Sequence, residues 1–349
     1  LLKEVRLLLV LGAVQHGREL QQSTTLGGTM PSPQAARAVR TPLPADLDRA
    51  WRTVRAHLPP TPVDFGSGGP SWAEPVLKLE SLQPTGSFKV RGALNALAAL
   101  DPAMPVVTAS AGNHGLGVAF AARALGRQAT VVLSRNASPA KVSRLRRSGV
   151  DLIEVGTSFD DAEEHALTLA AEGAHYLSAY NDPEVIAGQG TIGYELERQL
   201  EGDLTVVCAV GGGGLAAGLG LWACMRPGVR IVGVESEVST AVSTAVRTGG
   251  NVTVNIGQTL ADGVAGNIEP GSVTTGLIAR HVDALVTVSE AEIHMALRYL
   301  TGERGYIAEG AGAVPVAALL AGKVESRGRA VAVVSGRNIT LPALASVLA

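Results

Sequence analysis

From about residue 72 onward, short apolar runs alternate with longer stretches in which apolar residues recur at helical spacing. Residues 106–110 (VVTAS) predict a strand. The segment after Gly112 predicts a helix with Leu116, Ala119, Phe120 and Ala124 on its apolar face. A strand at 130–133 (TVVL) follows. Ser138 then reads as an N-cap, Pro139 as the first helical residue and Gly149 as the stop. Strands near 152–153 and 176–177 enclose a helix from about Asp160 to Ala171, and a later series runs through 206–210 (VVCAV), 231–234 (IVGV) and 331–334 (VAVV). This alternation predicts an α/β fold, two open twisted sheets flanked by helices, with a cleft between two lobes where ligands of such sheets bind. The expected small α/β lobe is 103–182, inserted in a larger lobe of 31–102 plus 183–349.

The start of the chain is set apart. Lys3 and Arg6 precede residues 7–14 (LLLVLGAV), which look like a short secretory core, yet no small-x-small cleavage site follows and the first methionine is Met30. Residues 1–30 are therefore expected to be a disordered extension or a misplaced gene start.

Composition narrows the classes. Of 349 residues, 29 are basic and 31 acidic, giving a net charge of -2, so a nucleic-acid or other polyanion partner is not expected. With 46% hydrophobic and 17% charged residues, the chain can bury a large core. No apolar stretch reaches about 18 residues, so no membrane span is expected. Cys208 and Cys224 cannot form a disulfide framework, and both read as small buried hydrophobes in a reducing, cytoplasmic compartment.

Two segments carry chemistry. Gly211-Gly212-Gly213-Gly214-Leu215 follows a strand and opens a helix, where backbone N–H groups and the helix dipole suit a phosphate. The same turn fits a dinucleotide fingerprint, with Glu235 about 22 residues past Gly213 as the ribose acid. On this segment alone, a nicotinamide dehydrogenase and another phosphate-ligand enzyme explain the pattern equally, and a purely structural turn is a third reading.

The second segment is 78–93 (KLESLQPTGSFKVRGA). A Pro-x-Gly turn leads into a helix whose buried face is Val90, Ala93, Leu94 and Leu97, placing Lys89 in the first turn beside Phe88. The positive helix end and partial desolvation both favour a neutral amine there, which can attack an aldehyde. A solvated surface lysine is the alternative.

Residues 87–93 (SFKVRGA) resemble the Schiff-base motif of the pyridoxal-phosphate enzymes of the serine/threonine dehydratase family. The resemblance continues in order through 110–114 (SAGNH), 186–191 (IAGQGT), 211–215 (GGGGL), 261–263 (ADG), 309–313 (EGAGA) and 335–338 (SGRN), over about residues 70 to 340. It implies pyridoxal 5′-phosphate as cofactor, joined to Lys89, with Phe88 against its ring and Asn113 bonded to the 3′ oxygen. It also implies that Gly211, Gly212, Gly213, Gly214 and Leu215 hold the phosphate, and that Ser335 meets the pyridine nitrogen. Ser110, Ala111, Gly112, Asn113 and His114 would bind the carboxylate of a small amino acid. The implied reaction is dehydration and deamination of L-threonine or L-serine to a 2-oxo acid and ammonia, with Lys89 as base, in a homodimer or homotetramer.

Departures from the pattern refine this. Related serine racemases place a second acid/base serine where this chain has Ala111, so racemisation is disfavoured. Glu235 matches an acidic metal ligand of some relatives, but the later aspartate is Ala241, so no metal is expected. His114 is read more readily as a structural partner of its loop than as an acid or base. Arg337 replaces a usual glycine and points either at the substrate or to solvent. Another β-elimination enzyme or racemase on this cofactor, hydroxyaspartate dehydratase included, and a non-catalytic cofactor-binding protein are the remaining rivals.

Overall fold

The computed structural model describes residues 37–66, 74–250 and 252–349. The extension expected at 1–30 lies outside the described residues. In chain order the strands are β1 (Val63–Asp64), β2 (Val76–Lys78), β3 (Val106–Ala109), β4 (Ala129–Leu133), β5 (Asp151–Glu154), β6 (His175–Tyr176), β7 (Leu204–Ala209), β8 (Val229–Ser236), β9 (Ala284–Val288) and β10 (Arg329–Val333). The helices are α1 (Pro44–His57), α2 (Lys89–Ala99), α3 (Asn113–Ala124), α4 (Pro139–Ser148), α5 (Phe159–Ala171), α6 (Pro183–Gln199), α7 (Gly214–Ala223), α8 (Ala241–Thr248), α9 (Val273–His281), α10 (Glu290–Gly302), α11 (Gly310–Leu320) and α12 (Leu341–Leu348).

They build two sheets, a six-stranded one in the order β1-β2-β10-β7-β8-β9 and a four-stranded one in the order β5-β4-β3-β6. Among the pairs of these strands only β1 with β2 is antiparallel; the others are parallel. The α/β class with two helix-flanked sheets thus stands as expected.

Strand β7 shows why a continuous apolar run becomes a central strand. Leu204, Val206 and Cys208 enter one core cluster, while Val207 and Ala209 enter the cluster on the other face. Side chains alternate across a strand, so burial on both faces favours apolar residues throughout, and the one polar residue, Thr205, has its hydroxyl paired with the Arg327 backbone. Strand β10 repeats this, with Val331 and Val333 on one side and Ala332 on the other. The C-terminal ends of β10 and β7 lead into residues 335–338 and 211–215.

The short strand β2 and edge strand β9 belong to the larger sheet, although the apolar pattern did not mark them. Helix α3 also departs from expectation. Its fully buried residues are Val118, Ala121 and Ala122 beside Ala119, whereas Leu116 and Phe120 are only partly buried and Ala124 is exposed. The cause is a close approach to α2, where an added Cβ on Gly117 would stand 3.1 Å from Lys89 O. Cys208 is buried as expected, and burial pushes its thiol up to about 12. Cys224 is exposed, contrary to expectation, because it is the residue where α7 ends.

An ionic cluster sits behind α2. Arg91 reaches Glu80 at 2.7 Å and Glu195 at 2.7 Å, and Lys78 reaches Glu195 at 2.6 Å, all four side chains being buried. It ties α2 to the end of β2 and to α6, so the lysine that opens α2 is held from behind.

Candidate active site

The candidate site is organised by residues 177–181, which follow β6. Leu177 O accepts from Thr108 Oγ1 at 2.8 Å and from His114 Nε2 at 3.2 Å. Ala179 O accepts from Lys89 Nζ at 2.8 Å. The next residue, Tyr180, packs against Gly212 and Gly214. This one segment therefore links the lysine, the α3 turn and the glycine turn.

Lys89 is the first residue of α2, and its Nζ lies 5.3 Å from the centre of the Phe88 ring. Loss of hydration lowers its ammonium to about 8, against the opposing pull of the Glu309 carboxyl. The preceding residues are pinned to the end of β10. Phe88 N–H donates to Ser335 O at 3.0 Å, and Ser87 bridges to Gly336. The Ser335 hydroxyl is buried and has only a long contact, 3.4 Å, to Ala311 O. It can turn to a better acceptor.

Asn113 opens α3 and is the centre of an amide network. Its Nδ2 donates to Glu309 Oε1 at 2.6 Å, and its Oδ1 accepts from Asn338 Nδ2. Ser110 Oγ accepts from Gly112 N–H at 3.2 Å, and an added Cβ on Gly112 would meet nothing within 4 Å. No side chain caps α3, and Ala111 carries only a methyl group. His114 is buried with its Nδ1 unpartnered, and burial with the nearby Lys89 charge lowers the imidazole to about 3. It is neutral, and its Nε2–H holds the loop at Leu177.

The glycine turn needs a more exacting account than phosphate access. An added Cβ would stand 2.9 Å from Val264 Cα at Gly211, 2.3 Å from the Tyr180 ring at Gly212 and 3.0 Å from the Tyr180 backbone at Gly214. Gly213 has φ +88° and faces Ile278 and Thr274. Packing alone thus asks for glycine at each position, and the structural reading of the turn gains ground. What packing does not use is the helix start: no side chain caps α7, so its first N–H groups stay available to an anion.

Glu235 has a structural role in this geometry. Its two carboxylate oxygens accept from Val242 N–H at 2.9 Å and Ser243 N–H at 3.1 Å, capping α8 from inside the core. Arg337 has an exposed side chain, and its backbone N–H donates to Gly86 O at 2.9 Å. Sequence reasoning gave Glu309, Asn338, Ala179 and Tyr180 no role. The first two stood within quoted motifs, so the available signal was an acid opening a Gly-Ala-Gly helix.

Residues 67–336 match the family of pyridoxal-phosphate dependent enzymes. The chain belongs to that family. It is 42% identical over 302 residues to an L-threonine ammonia-lyase of Thermotoga maritima, covering 84% of this chain and 75% of that protein. Among solved structures it resembles a threonine deaminase from T.th., with a TM-score of 0.79 and 33% identity over 86% of this chain and 99% of that one. Maize serine racemase superposes with a TM-score of 0.81 at 28% identity, over 88% and 97% of the two chains.

The residues present fit pyridoxal phosphate. Lys89 supplies an amine eased toward neutrality, α7 an uncapped helix start for a phosphate, and Ser335 a buried hydroxyl short of a good partner. The neutral amide of Asn113 stands beside them.

Proposed function

We propose that the protein is a pyridoxal-phosphate dependent L-threonine ammonia-lyase that also accepts L-serine, releasing ammonia and a 2-oxo acid. The observation that carries this reading is the half-buried Lys89, its amine lowered to about 8 and bonded to the single carbonyl of Ala179, beside Ser335 and Phe88. The relatives named for threonine lyase and deaminase activity support the substrate class.

Bound pyridoxal phosphate supplies an aldehyde that captures amines and a ring that accepts electrons from a substrate Cα. The uncapped start of α7 would hold its phosphate, the Ser335 hydroxyl would donate to its ring nitrogen, and Asn113 would donate to its 3′ oxygen. A hydroxyl partner would leave that nitrogen unprotonated, which would suit loss of a β-hydroxyl more than transamination. Ser110 Oγ and the N–H groups around Gly112 and Asn113 bind the substrate carboxylate. Lys89 takes the Cα proton: at pH 7 about a tenth of the amine is neutral, against about three in ten thousand for an ordinary lysine. Ala111 has no proton to return on the other face, which favours elimination over racemisation. The reading carries with it a homodimeric or homotetrameric, cytoplasmic enzyme whose residues 103–182 form the smaller lobe.

The test is a 2-oxo acid assay on cofactor-loaded protein with L-threonine, L-serine and hydroxyaspartate. Threonine is expected to turn over fastest, with no D-serine formed from L-serine. Cofactor binding without ammonia release from any of the three overturns the reading.

A further inference from the structure

A hydrogen-bond relay runs into the cleft from the loop before α2. Thr85 O accepts from Asn338 Nδ2 at 3.0 Å, Asn338 Nδ2 also donates to Asn113 Oδ1, and Asn113 Nδ2 donates to Glu309 Oε1 at 2.6 Å. A backbone carbonyl only accepts, so Asn338 must present its nitrogen to Thr85. Both Asn338 N–H groups are then spent, and Asn113 must turn its oxygen to Asn338 and its nitrogen to Glu309. The opposite setting of Asn113 places N–H against N–H and carbonyl against carboxyl. One of the two Asn113 N–H groups goes to Glu309, and one is left.

The chain makes room for this arrangement. Glu309 precedes α11 and is buried, with its N–H donating to Gly336 O at 3.0 Å. An added Cβ at Gly336 would stand 2.1 Å from Glu309 Oε1. The glycine beside Ser335 is therefore required by the carboxyl of Glu309.

We propose that Glu309 is a positioning residue which, together with Asn338, locks the Asn113 amide so that one N–H is kept for the 3′ oxygen of pyridoxal phosphate. The proposal rests on the cofactor reading above and adds to it a residue that does not itself touch the reacting atoms. The groups that face the Glu309 carboxyl electrostatically are Lys89, Asp262 and Lys141. Burial raises it to about 7, so the carboxyl changes charge within the working range of the enzyme.

The experiment titrates wild-type, Glu309→Ala, Glu309→Gln and Asn338→Ala apoproteins with pyridoxal phosphate and follows the cofactor's visible band across pH. Glu309→Ala is expected to weaken cofactor binding about tenfold, the worth of one hydrogen bond, and to move the pH midpoint of the band. Glu309→Gln keeps an acceptor for Asn113, so its affinity stays within about twofold while the midpoint moves through loss of charge. Asn338→Ala, which breaks the relay from its other end, is expected to match Glu309→Ala in affinity and serves as the test if Glu309→Ala does not fold. Wild-type affinity and an unmoved midpoint in the folded variants overturn the role of Glu309 alone. A wild-type protein with no visible band overturns the cofactor reading and the proposal with it.

Discussion

Lys78 and Lys89 lie close together in the chain, the first buried and the second half-buried, and the fold treats them in opposite ways. Lys78 Nζ donates to Thr61 O at 2.7 Å, Glu195 Oε2 at 2.6 Å and Gln199 Oε1 at 2.8 Å, so all three of its donors are spent. Lys89 Nζ donates to Ala179 O and has no carboxylate within ion-pair distance among the described residues. Burial lowers both ammonium groups, but around Lys78 the charges of Glu80 and Glu195 oppose the effect, while Lys89 has only the more distant Glu309. A buried charge whose partners are complete is a strut. One left with partners missing is poised to lose its proton and react.

The sharpest way to break this comparison is to delete each amine. Lys89→Ala is expected to cost about 10⁴-fold in turnover and to abolish the cofactor's visible band, since attack and proton removal both use that nitrogen. Its apoprotein should be no less stable than wild type, because a poorly compensated cation has been removed. Lys78→Met should reverse the pattern. It leaves Glu195 short of a buried partner and should destabilise the protein by about 3 to 5 kcal/mol in urea unfolding, with Lys89 still forming the visible band where the protein is folded. Equal stability losses in the two variants would sink the distinction.

The pH dependence of apoprotein stability sharpens it further. The Glu309 carboxyl is raised from 4.5 to about 7. Between those values the native state binds more protons than the unfolded one, so stability falls as pH rises, by up to about 3 kcal/mol. Lys89 is lowered from 10.5 to about 8. Between about 8 and 10.5 the unfolded state binds more protons, so stability rises with pH on that limb. Urea midpoints measured across this range should trace a trough. Glu309→Gln removes the acid limb, Lys89→Met removes the alkaline limb, and Lys78→Met lowers the whole curve without removing either. A trough that persists in both single variants would show that other groups cause it.

How much of this could be read from the chain depends on how local each feature is. The strands buried on both faces were legible because each carries an uninterrupted apolar run, as in 206–210 and 331–334. Strand β2 was not, since it is three residues long and ends in a charged lysine whose partners lie on the loop after α1 and on α6. The face of α3 was misjudged because Gly115 and Gly117, which let α2 and the sheet approach, give no hydrophobic signal. Lys89 announced itself through its neighbours. The Glu309 contact did not, because Asn113 and Glu309 are 196 residues apart and nothing short-range marks the pairing. Glu235 misled for the related reason that an acid after a strand has many uses, and only the fold shows it capping α8.

The smallest effects should separate two adjacent residues on the loop after β10. At Gly336 an added methyl group collides with Glu309 Oε1 and crowds Asn113 Nδ2 at 3.3 Å. Gly336→Ala is therefore expected to cost about 1 to 3 kcal/mol of stability through overpacking, and to move the pH midpoint of the visible band in the same direction as Glu309→Ala. Arg337 next to it has an exposed side chain and contributes its backbone N–H to Gly86 O, a bond that any residue but proline retains. Arg337→Ala should change stability by no more than about 0.5 kcal/mol and leave the KM for threonine unaltered. A KM that rises sharply in Arg337→Ala, with the melting temperature unchanged, would bring this side chain back to the substrate and place the working conformation of the loop elsewhere.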